Sequence, residues 1–266
     1  MEEYGEEMPI HPTAIISPNA ELAEDVTVEA YSIIGPDVAI GAGTVVGHHV
    51  VIEGRTTIGE NNRIFSFASI GLPPQDLTYT DESTGVSIGN NNIIREYVTV
   101  HRGTVRGHGV TRVGDGVFLM AYSHVAHDCQ IGNGALLANA ATLGGHVEVG
   151  EHAVVGGIVA VHQFVRLGEY SCIGGFSGVR MDIAPYMLAT GATGAALFGP
   201  NLIGLKRHGF SLKSIQAIKK FYKIFFRSGL TLNEAVLKVR EEIEPLPEVE
   251  RLIEFVTAGS KRGLTR

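Results

Sequence analysis

Eleven of the 266 residues are histidine, and four of them accompany aliphatic residues that recur at intervals of 18. His127 lies two after Val125, His146 three after Leu143 and His162 one after Val161, while His124 immediately precedes Val125. Imidazole is the only side chain whose ordinary titration falls near neutral pH, so converging imidazoles suit acid–base catalysis and polar recognition. Asp128, beside His127, adds a carboxylate able to orient the ring and stabilise its protonated form. No Ser or Cys carries a local nucleophile signature, so a base acting directly on an acceptor is the favoured chemistry. Two other readings stay open. One is a His-based metal site, although HExxH and Cys/His zinc spacings are absent. The other is plain solvated imidazole, which is the reading for His11, His48, His49, His108 and His152.

The element that positions these residues is a six-residue clock. Ile10, Ile16, Leu22, Val28, Ile34, Ile40, Val46, Ile52, Ile58, Ile64 and Ile70 fall six apart; the rhythm resumes at Ile88, Ile94 and Val100, and again from Val113 to Val179. A period of six fits neither a free helix nor simple strand alternation; it is the hexapeptide repeat of a parallel β-helix. Three hexads close one triangular coil, so residues 18 apart stack with roughly 4.8 Å strand spacing. Val125, Leu143 and Val161 then share one face, with His124 at the corner before it, and the imidazoles form a vertical strip. Gly or Asn is expected at the positive-φ turn positions. Where the clock fails, LPPQDLTYTDESTG and RGTVRGHGV must leave the prism as loops, and such loops are natural carriers of function.

After Met181 the rhythm stops, and APYMLATGATGAALFGPN reads as irregular. Helical spacing follows from Ser211, an N-cap, through Leu212, Ile215, Ile218, Tyr222 and Phe225. Gly229 ends that helix, Thr231 with Glu234 forms a capping box for the next, and a third is expected from about Glu248 to Val256. The expected organisation is an all-β prism over 1–190, with excursion loops at about 71–87 and 101–112, then a helical domain over 191–266.

Composition agrees. There are 34 Gly, no Trp and 7% aromatics, which disfavours a bulky helical core. Cys129 and Cys172 form no C-x-x-C pair, the N-terminus is acidic, and no apolar run approaches the ~18 residues of a membrane span. A cytoplasmic setting is expected, with no nucleic-acid partner. Net charge is −7, but the chain before Lys206 carries 8 basic and 21 acidic residues, and from Lys206 onward 13 basic and 7 acidic. The basic end reads as a solvated helical surface or as a docking face for an acidic partner.

The segments QDL (75–77), HRGT (101–104), HVAHDC (124–129), LGGHV (143–147), AVHQF (160–164), GLKRHGF (204–210) and the terminal Gly-Leu-Thr-Arg closely resemble the UDP-N-acetylglucosamine O-acyltransferases of lipid A biosynthesis. The resemblance spans 11–266. It implies a left-handed prism and transfer of a 3-hydroxyacyl group from acyl carrier protein to the sugar 3-hydroxyl of UDP-N-acetylglucosamine. His127 matches the general base, with Asp128 beside it, and Gly145 the amide that holds the thioester oxyanion. His101, His124, His146, His162 and Gln163 match substrate contacts, and Gln75 and Asp76 match loop contacts to sugar and acyl chain. Gly175 matches the residue that measures the acyl chain; Asn201 and Arg207 match the nucleotide end. The resemblance further implies a homotrimer with sites between prisms and no metal or organic cofactor. It also gives the basic C-terminal half a partner, the acidic acyl carrier protein. Three positions depart from the family's usual pattern: Thr78 for Lys, Ile203 for a Glu found in some members, and His208 for a second Arg. They leave open an acceptor with a 3-amino group. Other hexapeptide acyltransferases, and a γ-carbonic-anhydrase-like metalloprotein, are the competing classes.

Overall fold

The computed structural model describes residues 9–266; the first eight, part of the acidic start considered above, lie outside the described residues. Among the described residues, 27 strands form three sheets of 9, 8 and 10 strands, and as far as Gly178–Val179 every third strand in the chain is a neighbour in space. That is a three-sided parallel β-helix. Its first face runs from Ile15–Ile16 through His124–Val125 to Gly178–Val179, with Val125 paired to Leu143 and Leu143 to Val161. Two steps on this face exceed 18 residues. Ile70 pairs with Val100 and Val100 with Val125, so extra chain leaves the prism between Leu72 and Gly85 and between His101 and Val110.

The clock residues from Val28 to Val179 are buried, none more than 4% exposed. At the open end the covering is incomplete: Ile16 and Leu22 are half-buried and Ile10 is 40% exposed, since the first coil has a neighbour on one side only. A second buried register lies two residues before the clock. Its polar members bond along the prism axis: Val117 N–H donates to Asn92 Oδ1 at 2.6 Å, Asn92 N–H to Asn62 Oδ1 at 2.9 Å, and Asn62 Nδ2 to Gly89 O at 2.9 Å. Asn62 is satisfied at both ends of its amide, whereas Asn92 Nδ2 has no partner among the described residues; an unpaired buried amide costs several kcal/mol, on the order of 2–7.

The turn chemistry matches expectation in part: Gly43, Asn61, Asn91, Gly116 and Gly134 are left-handed, with φ between 55° and 68°. The left-handed residue is three after the clock position, and it is commonly aromatic or His: Tyr31, His49, Phe67, Tyr97, Tyr122, His146, Phe164 and Phe176 all have φ between 56° and 66°. The glycines directly after the clock residue serve close approach instead. A Cβ on Gly41 would lie 2.8 Å from the backbone of Gly59, and one on Gly132 2.7 Å from that of Glu151. Each coil sits on the next, and there is no room for a side chain there.

The stretch after Met181 is more regular than expected. Met187–Thr190 extends the third face in parallel, and Ala196–Pro200 folds back on it antiparallel. Four helices follow: α1 (Leu202–Arg207), α2 (Leu212–Arg227), α3 (Leu232–Glu242) and α4 (Pro247–Thr257). Helix α1 lies between that stretch and Ser211, where no helix was expected. Ser211 caps α2 and Thr231 with Glu234 forms a full capping box on α3, as read from the sequence. Helix α2 buries Ile215, Ile218, Phe221, Ile224 and Phe225, whereas Leu212 is 75% exposed because it precedes the packed face. The C-terminal strap then returns to the prism. Asp182 N–H donates to Gly263 O at 2.8 Å, and Thr265 N–H to Asp182 O at 2.9 Å.

Candidate active site

Three successive coils meet at the corner between the first and second faces. They place His127 and Asp128 on one level, Gly145 and His146 on the next, and Gln163 and Phe164 on the third. Asp128, His146 and Phe164 occupy equivalent left-handed positions with φ of 61°, 61° and 66°. Their side chains therefore project in the same direction one coil apart: the His146 and Phe164 rings stack at 4.4 Å, and His127 meets His146 edge-on at 5.0 Å.

Asp128 is fully buried and accepts from many donors. Oδ1 takes hydrogen bonds from His108 N–H at 2.8 Å and Gly109 N–H at 3.1 Å; Oδ2 takes them from Thr104 Oγ1 at 2.7 Å and His127 Nδ1 at 2.9 Å. Thr104 N–H reaches both oxygens at 3.1 Å. The loop between His101 and Val110 thus leaves the prism in order to wrap this carboxylate, and Gly107 lets it close, since a Cβ there would lie 2.3 Å from Asp128 Cγ. Burial acts to raise the Asp128 pKa, but the bonds from His127 and Thr104 overcome it and bring the value to about 2. An ionised Asp128 requires His127 Nδ1 to be the donor. The lone pair of neutral His127 is then on Nε2.

Gly145 is shaped around that nitrogen. A Cβ at Gly145 would sit 2.5 Å from His127 Nε2 and Cε1, so only glycine lets the ring lie against this backbone. Among the described residues the Gly145 N–H donates no hydrogen bond, while its carbonyl accepts from Phe164 N–H at 3.0 Å. A free amide beside a basic nitrogen is a suitable donor for a developing oxyanion.

A cavity of about 870 Å³ opens at this corner, lined by Gln75, Asp76, His127, His146, Gln163 and Lys261 among others. Thr78 N–H and Oγ1 both bond Asp76 Oδ1, at 2.9 and 2.8 Å, and these bonds hold the carboxyl below its ordinary range. Burial keeps His146 below the usual imidazole range.

His101 and His124 form a second pair just below, on the first face, with rings edge-on at 5.0 Å. His124 lies within the strand rather than at a corner, and its Nδ1 is 2.7 Å from Thr99 Oγ1. His101 is 7% exposed with an unpartnered Nδ1, and burial, then the neighbouring His124 and His127, push its pKa down to about 4. The unfolded chain therefore takes up this proton first, and stability present above about pH 6.5 is lost as pH falls toward 4, by at most about 3 kcal/mol. Thermal melts between pH 7 and 4 should show that loss, and His101→Asn should flatten it; an unchanged slope would remove His101 as its source.

Other expected site residues stand apart. His162 is exposed, its Nδ1 only 3.3 Å from Gln163 O, and outside the cavity wall, so the four imidazoles do not make one strip. Gly175 is exposed two coils along, on the third face's exit, and its φ is not left-handed; Phe176 takes that role. Asn201 caps α1 through Gly204 N–H at 3.1 Å and donates to Tyr170 O at 2.9 Å, so its amide is already engaged. Arg207 is exposed nearby, while His208 packs against the His152 and Tyr170 rings at 4.7 and 5.0 Å. Among the basic residues of α2, Lys220 is paired with Glu242 at 3.1 Å.

His127, Asp128 and His146 offer ligand atoms within 4.8 Å of one another, the spacing of a metal cluster. The donors already bonded to both Asp128 oxygens make the carboxylate a poor cation ligand, and the cluster fits proton transfer better. Cys129, wholly buried with its pKa pushed up to about 12 by burial, is an inert thiol.

Comparison with known proteins agrees with this geometry. Residues 182–265 match the family described as UDP N-acetylglucosamine O-acyltransferase, domain 2, and 19–54 and 111–145 match the bacterial transferase hexapeptide. An acyl-[acyl-carrier-protein]–UDP-N-acetylglucosamine O-acyltransferase of Trichlorobacter lovleyi is 61% identical, covering 97% of this chain and all of the relative. The chain belongs to the UDP-N-acetylglucosamine O-acyltransferase family. A second member, from Syntrophobacter fumaroxidans, is 58% identical over 97% of this chain and its own full length. The crystal structure of UDP-N-acetylglucosamine O-acyltransferase from Moraxella catarrhalis superposes with a TM-score of 0.94 at 44% identity, over 97% of this chain and 100% of that one. The prism is therefore the left-handed hexapeptide form, and the chain is a hexapeptide-repeat acyltransferase. No helix among the described residues is long and apolar enough to cross a membrane.

Proposed function

We propose that the chain transfers a 3-hydroxyacyl group from acyl carrier protein to the 3-hydroxyl of UDP-N-acetylglucosamine, the first step of lipid A biosynthesis. The observation that carries the mechanism is His127 held by ionised Asp128 through Nδ1, with Nε2 against the unbonded Gly145 amide. His127 Nε2 removes the acceptor hydroxyl proton as the oxygen attacks the thioester carbon. The Gly145 N–H stabilises the oxyanion of the tetrahedral intermediate. Collapse breaks the carbon–sulfur bond, and the imidazolium returns its proton to the leaving thiolate. No metal or organic cofactor is needed.

In this reading Gln75, Asp76, His146 and Gln163 contact the reacting ends of both substrates from the cavity wall, with His101 and His124 beneath as neutral polar contacts. His162, Gly175, Asn201 and Arg207 lie outside that wall in one chain. A homotrimer, with each site in the cleft between two prisms, lets a neighbouring copy supply the acyl groove and nucleotide contacts. We divide the chain accordingly into a prism to about 190 and a helical unit over 191–266, and place the enzyme in the cytoplasm. Sedimentation giving a monomer at micromolar concentration would oppose the shared site. The direct test of function crosses 3-hydroxyacyl carrier proteins of several lengths with UDP-N-acetylglucosamine and its 3-amino analogue. Turnover of the hydroxyl acceptor supports the proposal; turnover of the amine alone would reassign the chain to N-acyl transfer.

Gly175 serves as the acyl ruler. With an ordinary φ it is not required by the turn, and a Cβ there would lie 3.2 Å from Gly157 O, a tight approach that a small backbone shift relieves. Gly175→Met should leave a folded trimer whose preference moves to shorter chains, by ~0.8 kcal/mol for each methylene that no longer fits. An unchanged length profile in a stable trimer would remove the ruler.

A further inference from the structure

The C-terminal strap brings a cation to the catalytic cavity from far away in sequence. Lys261 lines the wall that also holds His127, His146 and Gln163, and its Nζ stands 4.3 Å from the centroid of the Phe164 ring. Phe164 in turn stacks on His146, so the ammonium caps a column that ends at the catalytic pair.

Lys261 is itself exposed, but the strap on both sides of it is tied down. On one side Ser260 Oγ accepts from Arg262 N–H and Gly263 N–H, both at 2.9 Å. On the other, Arg262 Nε donates to Gln163 O at 2.7 Å, and Thr265, 4% exposed, anchors the strap to Met181 and Asp182. Asp182 is itself buried and held by Arg166 at 2.8 Å.

The other charges of the wall clarify the role. Arg166 is engaged by Asp182, and Asp76 by Thr78, while Glu148 is a further carboxylate of the wall with no ion pair among the described residues. Arg106 and Lys261 make no ion pair among the described residues. An ammonium held over an aromatic face, without a carboxylate partner, keeps its donors for an anion.

We propose that Lys261 is a substrate-binding residue that engages a phosphate oxygen of the substrate occupying this cavity. The proposal rests on the acyl-transfer reading of the site. Both substrates in that reading carry phosphate, the nucleotide sugar as a diphosphate and the carrier arm as a phosphodiester, and both present the same chemistry to an ammonium.

The test measures kcat and KM for each substrate with Lys261→Gln and Lys261→Arg, beside calorimetric binding of UDP-N-acetylglucosamine and of free 4′-phosphopantetheine. The Gln variant should weaken one phosphate ligand about tenfold, the loss expected for one charge-assisted bond, with kcat within about twofold. The Arg variant should restore most of it. A change confined to the nucleotide sugar identifies the diphosphate, and one confined to phosphopantetheine identifies the carrier arm. Unchanged binding of both, or equal weakening of both together with a lower melting temperature, would overturn the proposal. A wild-type protein that bound these ligands but transferred no acyl group would instead refute the reaction, leaving the calorimetric comparison to judge Lys261.

Discussion

His127→Ala should lower kcat by ~10²–10⁴-fold, the usual range for a lost general base, while the protein remains folded. The expectation follows from the two ends of one ring. Nδ1 is committed to Asp128 at 2.9 Å, and Nε2 lies against Gly145. No second imidazole can take over: His146 meets His127 edge-on at 5.0 Å, and its Nε2 faces the Asp128 carboxylate from 3.8 Å. Truncation removes one of several donors to Asp128, and those from Thr104, His108 and Gly109 remain, so the corner keeps its shape. His146→Ala and His162→Ala should act mainly on KM. The measurement is steady-state turnover under conditions where acyl transfer limits the rate. Near-normal kcat in a folded His127→Ala protein would remove the base from the mechanism.

The prism was readable because its cause is local and repeated. An aliphatic residue every six positions reports an inward-facing site, and Val125, Leu143 and Val161 proved to be paired neighbours. The second buried register is equally periodic but mixed, with Val26, Val38, Val50 and Ala68 beside Ser32, Thr44, Asn62 and Asn92, so its polar members do not mark it as inward-facing until their axial bonds are seen. Gly or Asn holds several left-handed positions, Gly43, Asn61, Asn91, Gly116 and Gly134, but aromatic and His residues hold others. An L residue pays a strain cost there, yet stacking of Tyr31, His49, Phe67, Tyr97 and Tyr122 at about 5 Å accompanies it along one edge. Within the site, His127 and Asp128 were legible as adjacent residues, and Phe164 was available as the residue 18 after His146. Thr104 and Lys261 were not. Their places depend on a loop wrapped around a carboxylate and on a strap folded back over most of the chain, and neither leaves a period in sequence. Met187–Thr190 and Ala196–Pro200 were missed for a related reason: a hairpin that closes the prism pairs by tertiary contact after the hexad pattern has ended.

Asp128 admits a sharper test, because two substitutions separate its structural from its chemical role. Asp128→Ala removes the acceptor for Thr104 Oγ1 and for the amides of Thr104, His108 and Gly109, and places a residue without a polar side chain at φ 61°. Breaking such a buried charged network costs ~3–5 kcal/mol, so this variant should melt much earlier and lose activity with its fold. Asp128→Asn keeps the size and tolerates the left-handed backbone. Its single carbonyl oxygen is best turned toward the His108 and Gly109 amides. The amide nitrogen then faces His127 Nδ1 and must donate to it. The imidazole answers by moving its proton to Nε2, where the base should be, and turnover should fall by ~10²–10⁴-fold in a protein that still folds. Nitrogen chemical shifts of His127 report the tautomer directly, beside kcat and the melting temperature. An Asn variant with a protonated Nδ1 and undiminished kcat would show that Asp128 holds the loop and nothing more. One that unfolds as readily as the Ala variant would show that the network requires the full negative charge.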